Sequence, residues 1–80
     1  MRSIRNTTVC VIGGAGFLGS QLVDHLIEDR NCEVIVLDNL ITGLKKHINK
    51  LATFKWFDIR DDENELAKIC KDNNIEYVFN

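Results

Sequence analysis

The sequence has no long uncharged apolar segment that could cross a membrane. Its longest apolar run, from Val9 to Leu18, is interrupted by glycines and is much shorter than the roughly 20 residues that a membrane-spanning helix needs. The residues before Thr7 carry positive charge, but no apolar stretch of signal-peptide length follows them. We therefore expect a soluble, cytoplasmic protein with no membrane partner.

Metal-binding and nucleic-acid-binding signals are also missing. The three cysteines include no pair at C-x-x-C spacing, and each of the two histidines stands without a second ligand nearby. Cys10 and Cys70 lie in apolar patterns, where a reduced cysteine packs as a small hydrophobic side chain. A formal net charge of −2 gives no electrostatic reason to expect a nucleic-acid partner. We predict neither a metal site nor binding to nucleic acid.

The chain contains no proline, and no repeat, low-complexity tract or linker divides it. Its residues are 45% hydrophobic and 28% charged, which is typical of a soluble globular protein. Continuous apolar runs predict strands that are covered on both faces, at Thr7–Ile12, Glu33–Leu37, Phe54–Phe57 and Ile75–Phe79. Apolar spacings of three and four predict helices at Phe17–Glu28 and Asp61–Asp72, with a short one at Leu44–Lys50.

This order of elements predicts an α/β fold of the Rossmann type. Strand–helix–strand alternation gives parallel strands joined by right-handed crossovers, with helices on both faces of the sheet. The expected strand order is 3-2-1-4, which is slightly more than one mononucleotide-binding half of a doubly wound domain. Because no helix follows the last strand to cover it, we interpret residues 1–80 as a partial dinucleotide-binding domain, the N-terminal segment of a longer chain.

A glycine-rich turn joins the first strand to the first helix. The residues from Gly13 to Gly19 fit both G-x-G-x-x-G and G-x-x-G-x-x-G. The early glycines permit a tight turn, Gly16 lets the backbone approach a pyrophosphate, and Gly19 lets the helix lie close to the strand. The N-terminus of the helix would then present the backbone amides of Phe17 and Leu18 to the phosphates.

Other glycine-rich sites fit this turn less well. A P-loop needs a lysine followed by serine or threonine, whereas Ser20 follows Gly19 directly. A methyltransferase usually has an acidic residue just before its glycines, where this chain has Ile12. Two alternatives stay open: a flavin-binding Rossmann half, and a tight turn that binds no ligand.

An acidic residue follows the second predicted strand. Asp38 lies about 20 residues after Gly19, the spacing at which a carboxylate accepts hydrogen bonds from the hydroxyls of an adenosine ribose. The same carboxylate would repel the 2′-phosphate of NADP, and neither of the next two residues is basic. Lys45 and Lys46 could reach such a phosphate only if the loop folded back. The sequence therefore favours NAD, with NADP as the alternative.

The glycine turn, the loop Asp38–Gly43 and the pair Asp58-Ile59 form three motifs at compatible spacing. Together they resemble the start of extended short-chain dehydrogenase/reductases, and most closely the nucleotide-sugar epimerases, dehydratases and decarboxylases. The resemblance covers nearly the whole chain. It implies an NAD cofactor, a nucleotide-sugar substrate and a homodimer of the intact enzyme.

The resemblance also assigns cofactor contacts to matching positions. The glycine turn would contact the pyrophosphate, and the end of the second strand would contact the ribose. After the third strand, Asp58 would accept a hydrogen bond from the adenine amino group and Ile59 would pack on the ring, although a strand end and helix cap explain this pair equally well. The predicted cofactor-binding set is Gly13, Gly16, Phe17, Leu18, Gly19, Asp38, Asn39, Ile41, Thr42, Gly43, Asp58 and Ile59.

Catalytic residues of that family are not expected in these 80 residues. The family's serine or threonine and its Tyr-x-x-x-Lys pair lie much further along the chain, and the lysine position after Tyr77 would fall beyond Asn80. Phe79-Asn80 stands where many relatives have Phe-His. We predict the N-terminal NAD-binding segment of a nucleotide-sugar epimerase or dehydratase. The alternative is a non-catalytic dinucleotide-binding module or a truncated remnant.

Overall fold

The computed structural model describes residues 4–60 and 63–80. Within these ranges, the strands and α-helices follow in the order β1 (Thr8–Ile12), α1 (Phe17–Glu28), β2 (Glu33–Asp38), β3 (Thr53–Trp56), α2 (Glu63–Asp72) and β4 (Tyr77–Phe79). All neighbouring strands are parallel, and their order across the sheet is β3-β2-β1-β4. The predicted α/β fold, parallel sheet and strand order are confirmed.

Apolar side chains cover the sheet on both faces, because successive residues of a strand point to opposite sides. One face packs against α1 through buried side chains that include Val9, Val11, Val34, Val36, Val23 and Leu26. The other face packs against α2 through Cys10, Ile35, Leu37 and Ile69. β1 and β2 are therefore buried on both sides, which explains why their sequences are continuously apolar rather than alternating.

Of the short helix predicted around Leu44–Lys50, the structure has one turn of 3₁₀ helix, at Lys45–His47. Ile48 already has extended backbone angles. The side chain of Asn49 then accepts a hydrogen bond from the backbone amide of Leu51 at 2.9 Å. Such local side-chain bonds compete with the helical pattern and favour a turn.

The remaining elements differ from the predictions only at their ends. β1 begins one residue later than expected, at Thr8, and β4 begins at Tyr77. β2 extends to Asp38, whereas β3 is displaced by one residue towards the N-terminus. The predicted start of the second helix at Asp61 lies outside the described residues.

No helix in the described ranges combines the length and apolar character needed to cross a membrane. In the same part of the chain, no group of three or more histidine, cysteine, aspartate or glutamate side chains could hold a metal ion.

Candidate cofactor-binding site

The candidate site lies at the carboxyl edge of the sheet, where ligands bind in open parallel sheets. The glycine turn follows β1 at this edge, and Asp38 ends β2. Asp58 lies two residues beyond the end of β3 at Trp56. Since the strands are parallel, these groups from three different parts of the chain meet on one side of the molecule.

The glycine turn folds tightly before α1 begins. Gly13 has a φ of 83°, and its carbonyl oxygen accepts a hydrogen bond from the amide of Gly16 at 3.1 Å. Gly19, in the first turn of α1, lies against the same carbonyl group. A Cβ at this position would be 2.2 Å from the oxygen and 2.9 Å from the carbon of Gly13. The helix can therefore approach the turn this closely only because residue 19 has no side chain.

The N-terminus of α1 is suited to bind an anion. Gly16 occupies the N-cap position with no side-chain hydrogen bond, and the first turn contains no acidic residue. The first amides of an α-helix have no partner inside the helix and carry partial positive charge. Phe17 and Leu18 are each 76% exposed, so this turn is open to solvent. A phosphate group matches these properties.

Asp38 is buried and connects the end of β2 to the glycine turn. Its Oδ2 accepts a hydrogen bond from the backbone amide of Ala15 at 2.9 Å, and its Oδ1 accepts one from the amide of Leu40 at 2.7 Å. Leu40 has a φ of 61°, a left-handed conformation that is uncommon for a residue with a side chain. Each carboxylate oxygen can accept more than one hydrogen bond, so both can still accept from ribose hydroxyls.

The loop after Asp38 packs against the glycine turn at Ala15. The amide of Leu44 donates to the carbonyl oxygen of Ala15 at 3.1 Å. A Cβ at Gly43 would lie 2.8 Å from both the carbonyl carbon and the Cβ of Ala15. The glycine turn and the loop after Asp38 therefore share Ala15 as a common point of contact.

A second carboxylate, Asp58, follows β3 and is paired with Arg60. Nη2 of Arg60 lies 2.6 Å from Oδ2, Nε lies 2.9 Å from Oδ1, and the backbone amide of Arg60 also donates to Oδ1 at 2.9 Å. These hydrogen bonds from Arg60, with a smaller contribution from one by Asn39, lower the pKa of Asp58 to about 2. The Asp58 side chain is therefore negatively charged at neutral pH and already oriented.

Arg60 is a partner of the predicted site residue Asp58 that the sequence analysis did not single out. The sequence feature that could have indicated this pairing is the position of Arg60 directly after the pair Asp58-Ile59, within reach of the carboxylate two residues earlier. The sequence analysis considered only Lys45 and Lys46 as cations near the adenosine. The structure instead places Lys45 over the ring of Phe54, with its Nζ 5.5 Å from the ring centre.

An open cleft of about 190 Å³ lies between the glycine turn and the ends of β2 and β3. The predicted residues that line it are Gly13, Gly16, Asp38, Asn39, Thr42 and Ile59. Three apolar residues that were not predicted complete the lining: Ile12, Leu37 and Phe57. Each of the three lies within one residue of the end of a strand. Buried strand ends thus supply an apolar surface beside the polar groups.

A second cleft, of about 280 Å³, lies beside the glycine turn, towards the end of β4 at Phe79. Its lining includes three predicted residues, Gly13, Leu18 and Gly19. The other predicted residues line neither cleft: Phe17, Ile41, Gly43 and Asp58. The cofactor-binding role of every predicted residue stays a prediction.

A parallel sheet of this order, with a glycine turn, a helix N-terminus free of acidic residues and a carboxylate at the end of β2, defines a Rossmann-type dinucleotide-binding half. The sequence model of the NAD dependent epimerase/dehydratase family matches residues 9–80. The chain belongs to this family, which confirms the predicted resemblance. NAD, the cofactor expected from the sequence, is also the one in the family's description.

Two relatives illustrate the breadth of the family. A putative UDP-glucose 4-epimerase of Methanocaldococcus jannaschii is 56% identical over 55 residues, covering 69% of this chain and 18% of that protein. UDP-glucuronic acid decarboxylase 3 of Arabidopsis thaliana is 44% identical over 85 residues, covering 94% of this chain and 25% of that protein. The chain thus spans about a quarter or less of the length of these relatives.

Solved structures agree with the sequence comparison. UDP-glucose 4-epimerase of Thermotoga maritima, crystallised with UDP-glucose, superposes with a TM-score of 0.80 at 42% identity, over 89% of this chain and 22% of that chain. The Thermus thermophilus UDP-glucose 4-epimerase in complex with NAD gives a TM-score of 0.76 at 38% identity, with the same coverage of both chains.

Proposed function

We propose that this chain binds NAD as the N-terminal, cofactor-binding part of an enzyme that acts on a nucleotide sugar. One observation carries the proposal: the hydrogen bond from the amide of Ala15 to the carboxylate of Asp38 joins an anion site to an acceptor for ribose hydroxyls. A dinucleotide carries a pyrophosphate next to the ribose of its adenosine, so a site for it needs both kinds of group side by side. This hydrogen bond holds the two halves of the site together.

The residues present fit the adenosine half of NAD. The amides at the start of α1, near Phe17 and Leu18, would bind the pyrophosphate, and Asp38 would accept hydrogen bonds from the ribose. Thr42 and Ile59 line the cleft beyond Asp38, where the adenine would lie. Bound NAD supplies a hydride acceptor, while these residues bind and orient its non-reacting end.

A nucleotide sugar is the proposed substrate because the relatives named above are epimerases and decarboxylases of UDP-sugars. The proposed chemistry concerns a protein that carries these residues together with the catalytic residues of the family. The alternative, a module that binds NAD without turning it over, predicts the same cofactor affinity but no conversion of UDP-sugars.

Calorimetric titration of the full chain with NAD and with NADP tests the proposal. We expect NAD to bind at least about tenfold more tightly, because a 2′-phosphate would lie beside the Asp38 carboxylate. Asp38→Asn should weaken NAD binding by about tenfold or more, since hydrogen bonds to a charged group contribute about 1.5–3 kcal/mol each. Glu33→Gln is the matched control, because Glu33 is exposed at the opposite end of the same strand.

Three results would contradict the proposal. If the unmodified chain bound NADP as tightly as NAD, the assignment of NAD as the cofactor would be wrong. Binding of a flavin dinucleotide without binding of NAD would favour the flavin alternative. Equal losses of affinity in Asp38→Asn and Glu33→Gln would show that general charge, and not the carboxylate at the end of β2, determines binding.

A further inference from the structure

Positive charge is concentrated in the part of the chain between Asp38 and Asp58. These intervening residues, 39–57, are called the basic segment; they contain four lysines and no acidic residue. The lysines are Lys45, Lys46, Lys50 and Lys55. The whole chain has a formal net charge of −2, so the basic segment, at +4, leaves −6 for the remaining residues. Charge is therefore divided unequally along the chain.

The basic segment begins and ends at the cleft that contains Asp38. Asn39 and Thr42 line this cleft near the start of the segment, and Phe57 lines it at the end. Consecutive Cα atoms are about 3.8 Å apart, so the Cα of Lys45 lies within roughly 11 Å of that of Thr42. By the same measure, the Cα of Lys55 lies within roughly 8 Å of that of Phe57. Both distances are close to the Debye length of about 10 Å at 0.1 M salt, so these charges act on a ligand in the cleft.

The charges of the basic segment are accessible and not neutralised. All four lysines are exposed, and in the part of the chain that the structure describes none of them pairs with a carboxylate. Lys45 lies over the ring of Phe54, a contact that leaves its positive charge in place. Asp58 is paired with Arg60, and Asp38 is buried. The four lysines therefore outweigh the carboxylates beside the cleft.

We propose that the basic segment draws the anionic dinucleotide towards the cleft and so raises its rate of association. This inference rests on the proposed binding of NAD in that cleft. The pyrophosphate is doubly negative, and a field of one sign beside a site raises the rate at which an oppositely charged ligand arrives. The contacts at Asp38 and at the start of α1 determine how long the dinucleotide stays bound, whereas the basic segment determines how often it arrives.

The association rate constant of the full chain, measured by stopped-flow mixing, tests this inference. The fluorescence of Trp56, the single tryptophan, reports binding because this residue ends β3 directly before Phe57 of the cleft. The ligands are NAD and ADP-ribose, which share the adenosine and the pyrophosphate, but ADP-ribose lacks the positively charged nicotinamide. Association of both should slow as salt rises from about 10 mM to about 0.5 M, because salt screens exposed charges. The effect should be larger for ADP-ribose.

Two double variants separate this local effect from the overall charge. Lys46→Gln with Lys55→Gln removes two charges from the basic segment and leaves the lysine that contacts Phe54 in place. Lys68→Gln with Lys71→Gln is the matched control, since both lysines are exposed on α2, which runs back to the opposite edge of the sheet before β4.

At about 10 mM salt, we expect the variant of the basic segment to slow the association of ADP-ribose by roughly three- to tenfold, the lower end of electrostatic steering. The control should slow it by less than about twofold. Neither variant should change the dissociation rate, because steering acts before the ligand is bound.

Several outcomes would overturn the inference. Equal slowing in the two double variants would show that the net charge of the molecule, and not its position, sets the association rate. A change confined to the dissociation rate in Lys46→Gln with Lys55→Gln would show that these lysines contact the bound ligand. Binding whose association rate does not depend on salt would contradict this inference only, whereas no binding of NAD by the unmodified chain would contradict the proposed function itself.

Discussion

Gly16 and Gly19 lie in the same turn, but the absence of a side chain has a different consequence at each. A Cβ at Gly19 would meet the carbonyl oxygen of Gly13 at 2.2 Å, whereas one at Gly16 would lie 3.4 Å from the same oxygen, an ordinary contact. Gly16 has a φ of −77°, which any residue can adopt. The first glycine is therefore expected to matter for ligand access and the second for folding.

We predict that Gly19→Ala destabilises the protein by about 1–3 kcal/mol, the usual cost of overpacking. Alanine is otherwise preferred to glycine inside a helix by about 1 kcal/mol, so a net loss would identify the contact with Gly13. Gly16→Ala should unfold at nearly the same temperature but bind NAD more weakly. Thermal unfolding and NAD titration of both variants measure this, and a stable Gly19→Ala protein would contradict it.

Cys10 provides a prediction about pH. Burial, with a smaller contribution from Cys70, raises the pKa of the Cys10 thiol from 9.0 to about 11. Above pH 9 the unfolded chain loses this proton while the folded protein keeps it, so folding is penalised. The stabilisation from Cys10 should be fully present below pH 9 and lost as the pH rises to about 11.

Urea unfolding between pH 8 and pH 11, on the unmodified chain and on Cys10→Ala, measures this effect. The unmodified chain should lose stability more steeply across the window, because the variant has no thiol to titrate. Identical slopes for the two proteins would mean that Cys10 does not titrate differently in the folded state.

At the scale of elements, α2 is held to the sheet mainly by one side chain. Ile69 is the residue that this helix buries fully, in a cluster with Cys10, Ile35 and Leu37. We predict that Ile69→Ala lowers the free energy of unfolding by about 2–5 kcal/mol, because it leaves a cavity under the helix. Leu51→Ala is the control, since Leu51 is 79% exposed and its loss should change stability by less than about 0.5 kcal/mol. If Ile69→Ala and Leu51→Ala lowered the free energy of unfolding in urea by the same amount, the importance of the Ile69 contact would be contradicted.

The elements also show which sequence signals predict structure. β1, β2 and α1 follow from continuous or periodic apolar patterns, because each is defined by what it buries along its own length. The segment Leu44–Lys50 follows its pattern for one turn only: Ile48 is already extended, and the Asn49 side chain then accepts a hydrogen bond from the amide of Leu51. Such a bond forms only in one side-chain rotamer, and the spacing of apolar residues in the sequence does not indicate it.

For the whole molecule, the order of the strands and the edge that carries the site were predictable from the sequence. Parallel strands bring their carboxyl ends together whatever the loops do, so the glycine turn and Asp38 had to be neighbours. The path of the loop from Asn39 to Leu44 was not predictable, because it depends on contacts with Ala15, a residue far away in the chain. The ion pair of Asp58 with Arg60 was also missed, because a sequence does not show which of several nearby groups a side chain selects.

The contact between Gly43 and Ala15 limits how this site can change by mutation. Of the three atoms of Ala15 closest to a Cβ at residue 43, two belong to the backbone. Replacing Ala15 by glycine would remove the third and leave the other two in place. No substitution at residue 15 can therefore compensate for a larger residue at 43, and the loop is expected to tolerate variation on either side of this glycine but not at it.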